Sequence, residues 1–448
     1  STPLQTLFPY TTLFRSSGQD VHKSTACKIF GEENYCKEAR KKAKCISGDS
    51  LLYTDMGIIK IRDVNPNRIE GLPIDVDFNI STPEGVCRCS KFIYNGNKNT
   101  IKFNMNNGAT LEVTPDHLIR SDNKWVRADT LHIGDYIDFE SVVIDSNNYK
   151  TIDLSYINGA KLTFSKELSY YVGAILGDGN ISRKSVYFMS EDYELIQYMS
   201  SIVKQYNLGE AHENIQKYTK TNHRPFIRLN CGPKKARDLC RDIGLIDDAG
   251  HKQFKVPDVI LKSPNDVKFA FIQGIFDTDG TISKYNGHKS NFCLDFCTKS
   301  NELAIGCMNI LRSLGVSCRI CRSYNKVYKR MYYKVKLRAT SARRFLELGG
   351  FKCIHKQDRL KEWCKNVSFI KEYKKHYMIE SIENSSTDVY DLTIENESHS
   401  FLANGFVVHN CASFGILYGA SAYGFHNQFP DMTLEECEEF IEKFKAAL

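Results

Sequence analysis

Two stretches of this 448-residue chain hold side chains that could break and remake peptide bonds. Near one end Cys45 opens the run CISGDSLLYT; near the other His409, Asn410 and Cys411 close VVHNC. A cysteine thiolate can attack the carbonyl of the preceding residue and turn the Lys44–Cys45 amide into a thioester. A second thiol, Cys411, can take that acyl group if it is held close, since well-oriented groups react at effective concentrations of roughly 10⁵ M or more. Asn410 can then cyclise through its side-chain amide onto its own carbonyl, with His409 placed to assist, and the thioester between 44 and 411 rearranges to an amide. The first attack needs a polarised amide. GATLEVTPDHLI supplies Thr114 and His117 at a strand-to-turn change set by Pro115. A histidine there can donate to the amide nitrogen and later give up its proton.

A second chemistry lies in the interior. ELSYYVGAILGDGNIS and VKFAFIQGIFDTDGTIS echo each other, each an apolar helix ending in an acid beside glycine. Gly173 and Gly274 fall at matching positions, where the missing Cβ lets two helices approach closely. Ser263 and Pro264 read as the cap and first turn of the second helix. Such a pair of helices brings Asp178 and Asp279 together at their C-terminal ends. Adjacent carboxylates repel, and divalent cations relieve this while activating water for phosphodiester attack.

The elements that must position these groups differ in period. Alternation in IIKIRDV, IKFNMNNGATLEV and KWVRADTLHIGDYIDF predicts strands, with a turn at Asn106-Asn107-Gly108. From about 160 to 375 the pattern becomes helices and basic strands. Lys217, Lys220, Arg224, Arg228, Lys234, Lys235, Arg237 and Arg241 form one basic run with a single acid, Asp238. Arg319, Arg322, Lys326, Lys329, Arg330, Lys334, Lys336 and Arg338 form another with none, interleaved by Tyr324, Tyr328, Tyr332 and Tyr333. Basic strands of this kind can lie in a DNA major groove. The net charge of +7 is modest, so any nucleic-acid surface has to come from this local clustering.

At 42% hydrophobic residues the chain can bury real cores, and its length suits about three domains. It has no apolar run long enough for a membrane span, so no membrane is expected. The sixteen cysteines form no disulfide framework and imply reduced thiols in a cytoplasmic compartment. Cys318 and Cys321 make one lone CxxC, a structural rather than a metal-binding spacing. TLFPYTTLFRS, residues 6–16, is identical to the translation of a sequencing adapter. Residues 1–16 are expected to be an artefact, and the chain a fragment truncated at both ends.

Residues 45–410 resemble an intein, a self-splicing element of the Hint fold. CISGDSLLYTDMGIIKIRDV resembles its opening block, GATLEVTPDHLI its T-x-x-H block, and VYDLTIENESHSFLANGFVVHNC its closing blocks. The resemblance implies Cys45, Thr114, His117, His409, Asn410 and Cys411 as splicing residues. It adds Asp391, tuning the first cysteine and linking the steps, and His399, assisting cyclisation. No cofactor is implied for splicing.

The interior repeat resembles the two-motif LAGLIDADG homing endonucleases, with Leu176-Gly177 in place of Asp-Ala before Asp178. This implies Asp178 and Asp279 as metal-binding catalytic acids with Mg²⁺, and double-stranded DNA as partner to a monomer. KQFKVPDVI is similar to the block between the motifs and gives Lys255 a supporting role.

The flanks are similar to the nucleotide-binding helix of family A DNA polymerases. Deleting 45–410 leaves RKKAKCASFGILYG, which places Arg40, Lys44, Phe414 and Tyr418 four apart on one helix face. The polymerase's catalytic carboxylates are absent, so the fragment cannot polymerise DNA.

The expected architecture is therefore multidomain. An all-β Hint splicing domain (45–159 and 376–410) carries an inserted α+β LAGLIDADG endonuclease (160–375). Helical polymerase pieces flank it at 17–44 and 411–448. The expected function is autocatalytic splicing plus cleavage of the polymerase gene that lacks the insert. Autocleavage without ligation, splicing with an inactive endonuclease, and a nonfunctional insert are the alternatives.

Overall fold

The computed structural model describes residues 44–146, 150–153, 161–182, 185–216, 226–232, 234–285, 288–365, 376–410, 433–435 and 438. Arg40, Cys411, Phe414 and Tyr418, the artefact expected at 1–16, and the first basic run's Lys217, Lys220 and Arg224 lie outside them.

The N-terminal part is strands broken only by two single 3-10 turns, Ile61–Asp63 and Ala128–Thr130: β1 (Ile46–Ser47), β2 (Leu51–Thr54), β3 (Gly57–Lys60), β4 (Pro73–Thr82), β5 (Gly85–Met105), β6 (Thr110–Val113), β7 (Leu118–Ser121), β8 (Lys124–Arg127) and β9 (Tyr136–Asp138). The expected turn closes β5 onto β6. Gly108 takes φ +83 there, and the Asn107 side chain accepts the Ala109 amide at 2.9 Å.

The interior starts with the hairpin β10 (Thr151–Asp153) and β11 (Lys161–Thr163), then alternates helix and strand. Its first half holds α1 (Lys166–Leu176), β12 (Gly179–Ile181), β13 (Val186–Ser190), α2 (Tyr193–Gln205), β14 (His212–Gln216), β15 (Phe226–Asn230) and α3 (Lys235–Asp242). The second half holds α4 (Asp258–Leu261), α5 (Asn265–Thr278), β16 (Gly280–Tyr285), β17 (His288–Thr298), α6 (Asn301–Ser313), β18 (Arg319–Asn325), β19 (Arg330–Arg338), α7 (Ala339–Glu347) and α8 (Ile354–Cys364). Each half has one four-stranded sheet, ordered β12-β13-β15-β14 and β16-β17-β19-β18. The chain closes with β20 (His376–Ile394), β21 (Ser400–Ala403) and β22 (Phe406–His409).

The two ends of the chain share one architecture. An eight-stranded sheet runs β3-β2-β4-β5-β6-β1-β20-β9, so β20 threads between strands contributed by the opening segment. In a smaller sheet, β21-β22-β7-β8, the closing hairpin β21–β22 joins the opening segment's β7–β8 through β22. The long strands β5 and β20 pair from Met105–Ile379 to Cys89–Ile394. Strand β6 alternates buried and wetter positions, so its register is fixed by which face is apolar, whereas β21 and β22 are buried throughout.

Helices α1 and α5 pack backbone to backbone. A Cβ on Gly173 would collide with the Phe271 carbonyl, and one on Gly274 with the Tyr170 carbonyl. The Ser169 hydroxyl donates across the pair to the Val267 carbonyl at 2.7 Å. The cap of α5 differs from expectation. Ser263 donates its hydroxyl to the Val259 carbonyl at 2.6 Å, within the end of α4, and is spent there. The Asp145 carboxylate, from the segment after β9, instead accepts the first α5 amide, Asn265, at 2.8 Å. An anion at that position also complements the helix dipole.

The β module and the interior are joined by more than their two connections. Tyr53 donates to the Asn309 side chain at 3.2 Å, and the Ile320 amide to the Asn107 carbonyl at 2.9 Å. The buried Arg312 guanidinium of α6 sits over the rings of Phe139 and Tyr377. Among the described residues no helix is long and apolar enough to cross a membrane. None of the described cysteines is in a disulfide. Cys318 is buried in the core, with its sulfur toward the Met308 carbonyl.

Candidate functional site

The fold brings Cys45 and Thr114 into reciprocal contact. The Cys45 amide, the nitrogen of the bond that the sequence marks for cleavage, donates to Thr114 Oγ1 at 3.1 Å. The Thr114 amide donates back to the Cys45 carbonyl at 3.0 Å. Pairing of Ile46 with both Val113 and Tyr390 makes this possible, because it locks β1 between β6 and β20. One residue outward on each strand of the β1–β20 pair stand Cys45 and the buried Asp391. Asn95 of β5 donates its side-chain amide to Cys45 Sγ at 3.2 Å, a contact that favours thiolate over thiol.

His117 follows through a tight turn, its amide donating to the Thr114 carbonyl at 3.0 Å. The ring is wholly buried, and burial first, then the charge of Lys44 and His409, pushes it down to about 3. It is therefore neutral at pH 7. The Lys44 backbone lies close enough to perturb the ring. Neither ring nitrogen, however, makes a well-formed hydrogen bond among the described residues. The ring stands at the scissile junction without being locked to it.

The other junction arrives on β22. Val408 pairs with Ile119, and the strands are antiparallel, so His117 and Asn410, two residues off each, come level. His409 Nδ1 lies 2.8 Å from the Asn410 carbonyl oxygen. That oxygen can only accept, so the proton sits on Nδ1. Burial holds His409 down at about 4 against this hydrogen bond, with Lys44 and His399 adding to the depression. Trp125 packs edge-on against the ring at 4.8 Å. The Asn410 amide donates to the His399 carbonyl at 2.8 Å, while its side-chain oxygen is buried with no partner among the described residues. His399 itself takes φ +46, and burial lowers its ring's pKa.

A second centre lies at the C-terminal ends of α1 and α5. Burial raises the Asp178 carboxyl, and burial followed by the Asp178 charge raises Asp279 to about 6. Two solvent-reachable acids at facing helix ends, the Asp178 charge raising Asp279, suit a divalent cation, which would be held by these two carboxylates. Lys252 donates to the carbonyls of Ile175 and Gly179 at 2.7 and 2.8 Å. In the matching place Lys356 donates to the carbonyls of Phe276, Asp277 and Thr278 at 3.1, 2.7 and 3.3 Å. Both ammonium charges act on Asp178 and Asp279.

Lys255 is not among the charges acting on either acid. The neighbouring Asp277 has a structural job: it accepts from the Tyr170 hydroxyl at 2.8 Å and from the Lys352 and Cys353 amides at 3.1 Å.

The second basic run falls on β18, β19 and the turn between them, which holds Lys326 and Lys329. Cross-strand pairs place Arg319 with Lys336, Cys321 with Lys334 and Asn325 with Arg330 on one face, while Ile320, Val335 and Leu337 face the core. The run holds no acid of its own, but β17 supplies one: Asp295 pairs with Lys334 at 3.3 Å. Lys334 and Asp279 both act on Cys297, so this face adjoins the acid pair.

A family model described as the intein splicing domain matches residues 55–410. The chain belongs to the intein splicing family. Among curated proteins this intein is similar to the replication factor C small subunit of Methanocaldococcus jannaschii, 24% identical over 380 residues, covering 80% of this chain and 18% of that one. It is also similar to a DNA polymerase of Thermococcus litoralis, 26% identical over 298 residues, covering 62% of this chain and 16% of the relative. The chain spans less than a fifth of the length of either relative. Among solved structures, the homing endonuclease I-WcaI bound to its DNA recognition sequence is 20% identical, covers 44% of the intein and 88% of its own chain, and gives a TM-score of 0.33. A variant DnaB mini-intein is 22% identical, covers 22% and 65%, and gives 0.19.

Three residues of the intein's two centres carry no local signal in the sequence. Asn95 is one asparagine in the middle of a 21-residue strand. Lys252 and Lys356 reach helix ends far away in the chain, and only the packing of α1 against α5 reveals what they serve.

Proposed function

We propose that the chain excises residues 45–410 and ligates Lys44 to Cys411, and that its interior cleaves double-stranded DNA at a specific site. The observation that carries the splicing reading is the convergence of both scissile junctions on one buried site. Thr114 holds the Cys45 amide, His409 holds the Asn410 carbonyl, and the Lys44 charge acts on His117 and His409 alike.

The steps follow from these contacts. Cys45 Sγ attacks the Lys44 carbonyl while Thr114 holds the amide nitrogen in place, and His117, neutral and therefore able to accept, takes the Sγ proton and passes it to the departing amine. Cys411 takes the acyl group. The Asn410 side-chain nitrogen then attacks its own carbonyl, whose oxygen is already polarised by His409 Nδ1–H. Asp391 and His399 support the first and last steps.

In the interior, Asp178 and Asp279 would hold Mg²⁺ or a similar divalent ion, which supplies an activated water and charge stabilisation. Lys252 and Lys356 fix the helix ends that carry the two acids. The basic face of β18 and β19 would track phosphates. The flanks suit a family A DNA polymerase as host.

Expression with extended flanks at both junctions tests the splicing reading. Mass spectrometry is expected to find the ligated flanks and the excised 45–410 segment. Separate flanks without the ligated product would establish autocleavage instead, and intact precursor after long incubation would refute both. Mg²⁺-dependent cleavage of a polymerase gene lacking the insert tests the nuclease.

A further inference from the structure

A cluster outside both centres joins three different ligand types. Cys353 Sγ lies 3.2 Å from His355 Nδ1 and 3.5 Å from its Nε2. His355 Nδ1 lies 3.9 Å from Asp192 Oδ2. One donor atom from each residue falls within 4.8 Å of the others. A tetrahedral zinc with bonds of about 2.0–2.3 Å separates its ligand atoms by roughly 3.5 Å, so a small inward shift closes the set.

The supports of the three residues are in place. Asp192 caps α2 through Oδ1, which accepts the Glu194 and Leu195 amides at 3.0 and 3.4 Å. That arrangement holds the carboxylate still and leaves Oδ2 turned to the histidine. The Cys353 amide is anchored on Asp277 at 3.1 Å. His355 is exposed and opens the cluster to solvent. Anchoring of this sort orients ligands for a metal.

We propose that Asp192, Cys353 and His355 form a transition-metal site of the Zn²⁺ class, with its fourth position open to water. Thiolate, imidazole and carboxylate together select such an ion over Mg²⁺ or Ca²⁺. Burial keeps the Cys353 thiol protonated in the absence of an ion. Binding therefore forms a sulfur–metal bond and releases the Sγ proton to solvent. The ion would tie the start of α2 to the start of α8. Lys356 lies one residue beyond His355, and Asp277 binds the Cys353 amide, so the tie also secures the end of α5 that carries Asp279.

The test is a Co²⁺ titration of the full chain carrying Cys45→Ala and Asn410→Ala, which keeps the precursor whole and removes Cys45 as a rival thiolate. A single equivalent is expected to give a thiolate-to-cobalt absorption band that Zn²⁺ abolishes by displacement. Cys353→Ser should remove the band. His355→Ala, at an exposed side chain, and Asp192→Asn, which keeps the helix cap, should each weaken binding about tenfold or more. Zn²⁺ should raise the thermal midpoint of the parent by clearly more than that of His355→Ala, which keeps only weakened binding here and whatever the acid pair contributes. A hydrogen-bonded trio that holds no metal would give no band in the parent, or one indifferent to His355→Ala, and either result overturns the proposal.

Discussion

Thr114 and Cys45 exchange two hydrogen bonds, the Cys45 amide to Thr114 Oγ1 at 3.1 Å and the Thr114 amide to the Cys45 carbonyl at 3.0 Å. The first involves the leaving nitrogen of the proposed splicing reaction. Thr114→Val keeps the shape and removes the acceptor. A lost neutral hydrogen bond is worth about 1–1.5 kcal/mol, so thioester formation should slow about tenfold. The rate of thiol-induced cleavage at Lys44–Cys45 measures it. C-terminal cleavage at Asn410, read separately, should change far less.

Asn95 should act on the nucleophile alone. Its amide donates to Cys45 Sγ at 3.2 Å, so Asn95→Ala should raise the pH at which the first step reaches half its maximal rate. The pH profile of the cleavage rate is the measurement, and an unshifted midpoint would count against the contact.

The buried histidines make stability pH-dependent. Their folded values, about 3 for His117 and about 4 for His409, lie below the ordinary histidine value near 6.5. Between those limits the unfolded chain binds protons that the folded one refuses. Stability should therefore be fully present above about pH 6.5 and fall as the pH drops toward 4. Thermal denaturation of a splicing-blocked chain tests this, and His117→Gln should flatten the slope.

The acid pair predicts a proton-coupled metal. Asp279 sits near 6 because burial and Asp178 disfavour its charge, so a divalent ion must displace a proton below that pH. Ca²⁺ affinity, read by calorimetry, should fall as pH is lowered from 7.5 to 5.5. Asp279→Asn should abolish the dependence together with DNA cleavage, and leave splicing intact.

Gly274 tests the helix pair. Gly274→Val would drive a side chain into the Tyr170 carbonyl, a clash worth about 1–3 kcal/mol or more. Loss of DNA cleavage with a lowered thermal midpoint is expected, and an unchanged midpoint would contradict the packing.

The sequence disclosed the residues whose function depends on order along the chain. Cys45, Thr114, His117, His409 and Asn410 stand in short local patterns, and the repeated helices announce Asp178 and Asp279. It hid whatever depends on distant partners. Lys252 and Lys356 reach the ends of α1 and α5 only because those helices meet, and no local pattern marks them. Ser263 looked like a cap because its neighbours fit one, but the Val259 carbonyl claims its hydroxyl and Asp145 takes the vacant role. The strand turn at Asn107-Gly108 was readable because its cause is local, a backbone that needs positive φ.

Arg312 lies sandwiched against Phe139 and Tyr377, beside the Tyr53–Asn309 bond. Removing the interior would strip the cover from those aromatic rings and leave an oily scar on the part that must still splice. Point mutations at Asp178 or Asp279 carry no such penalty. Excising the interior should therefore lower the thermal midpoint of the remaining β module, whereas substitution at Asp178 or Asp279 should leave those rings covered.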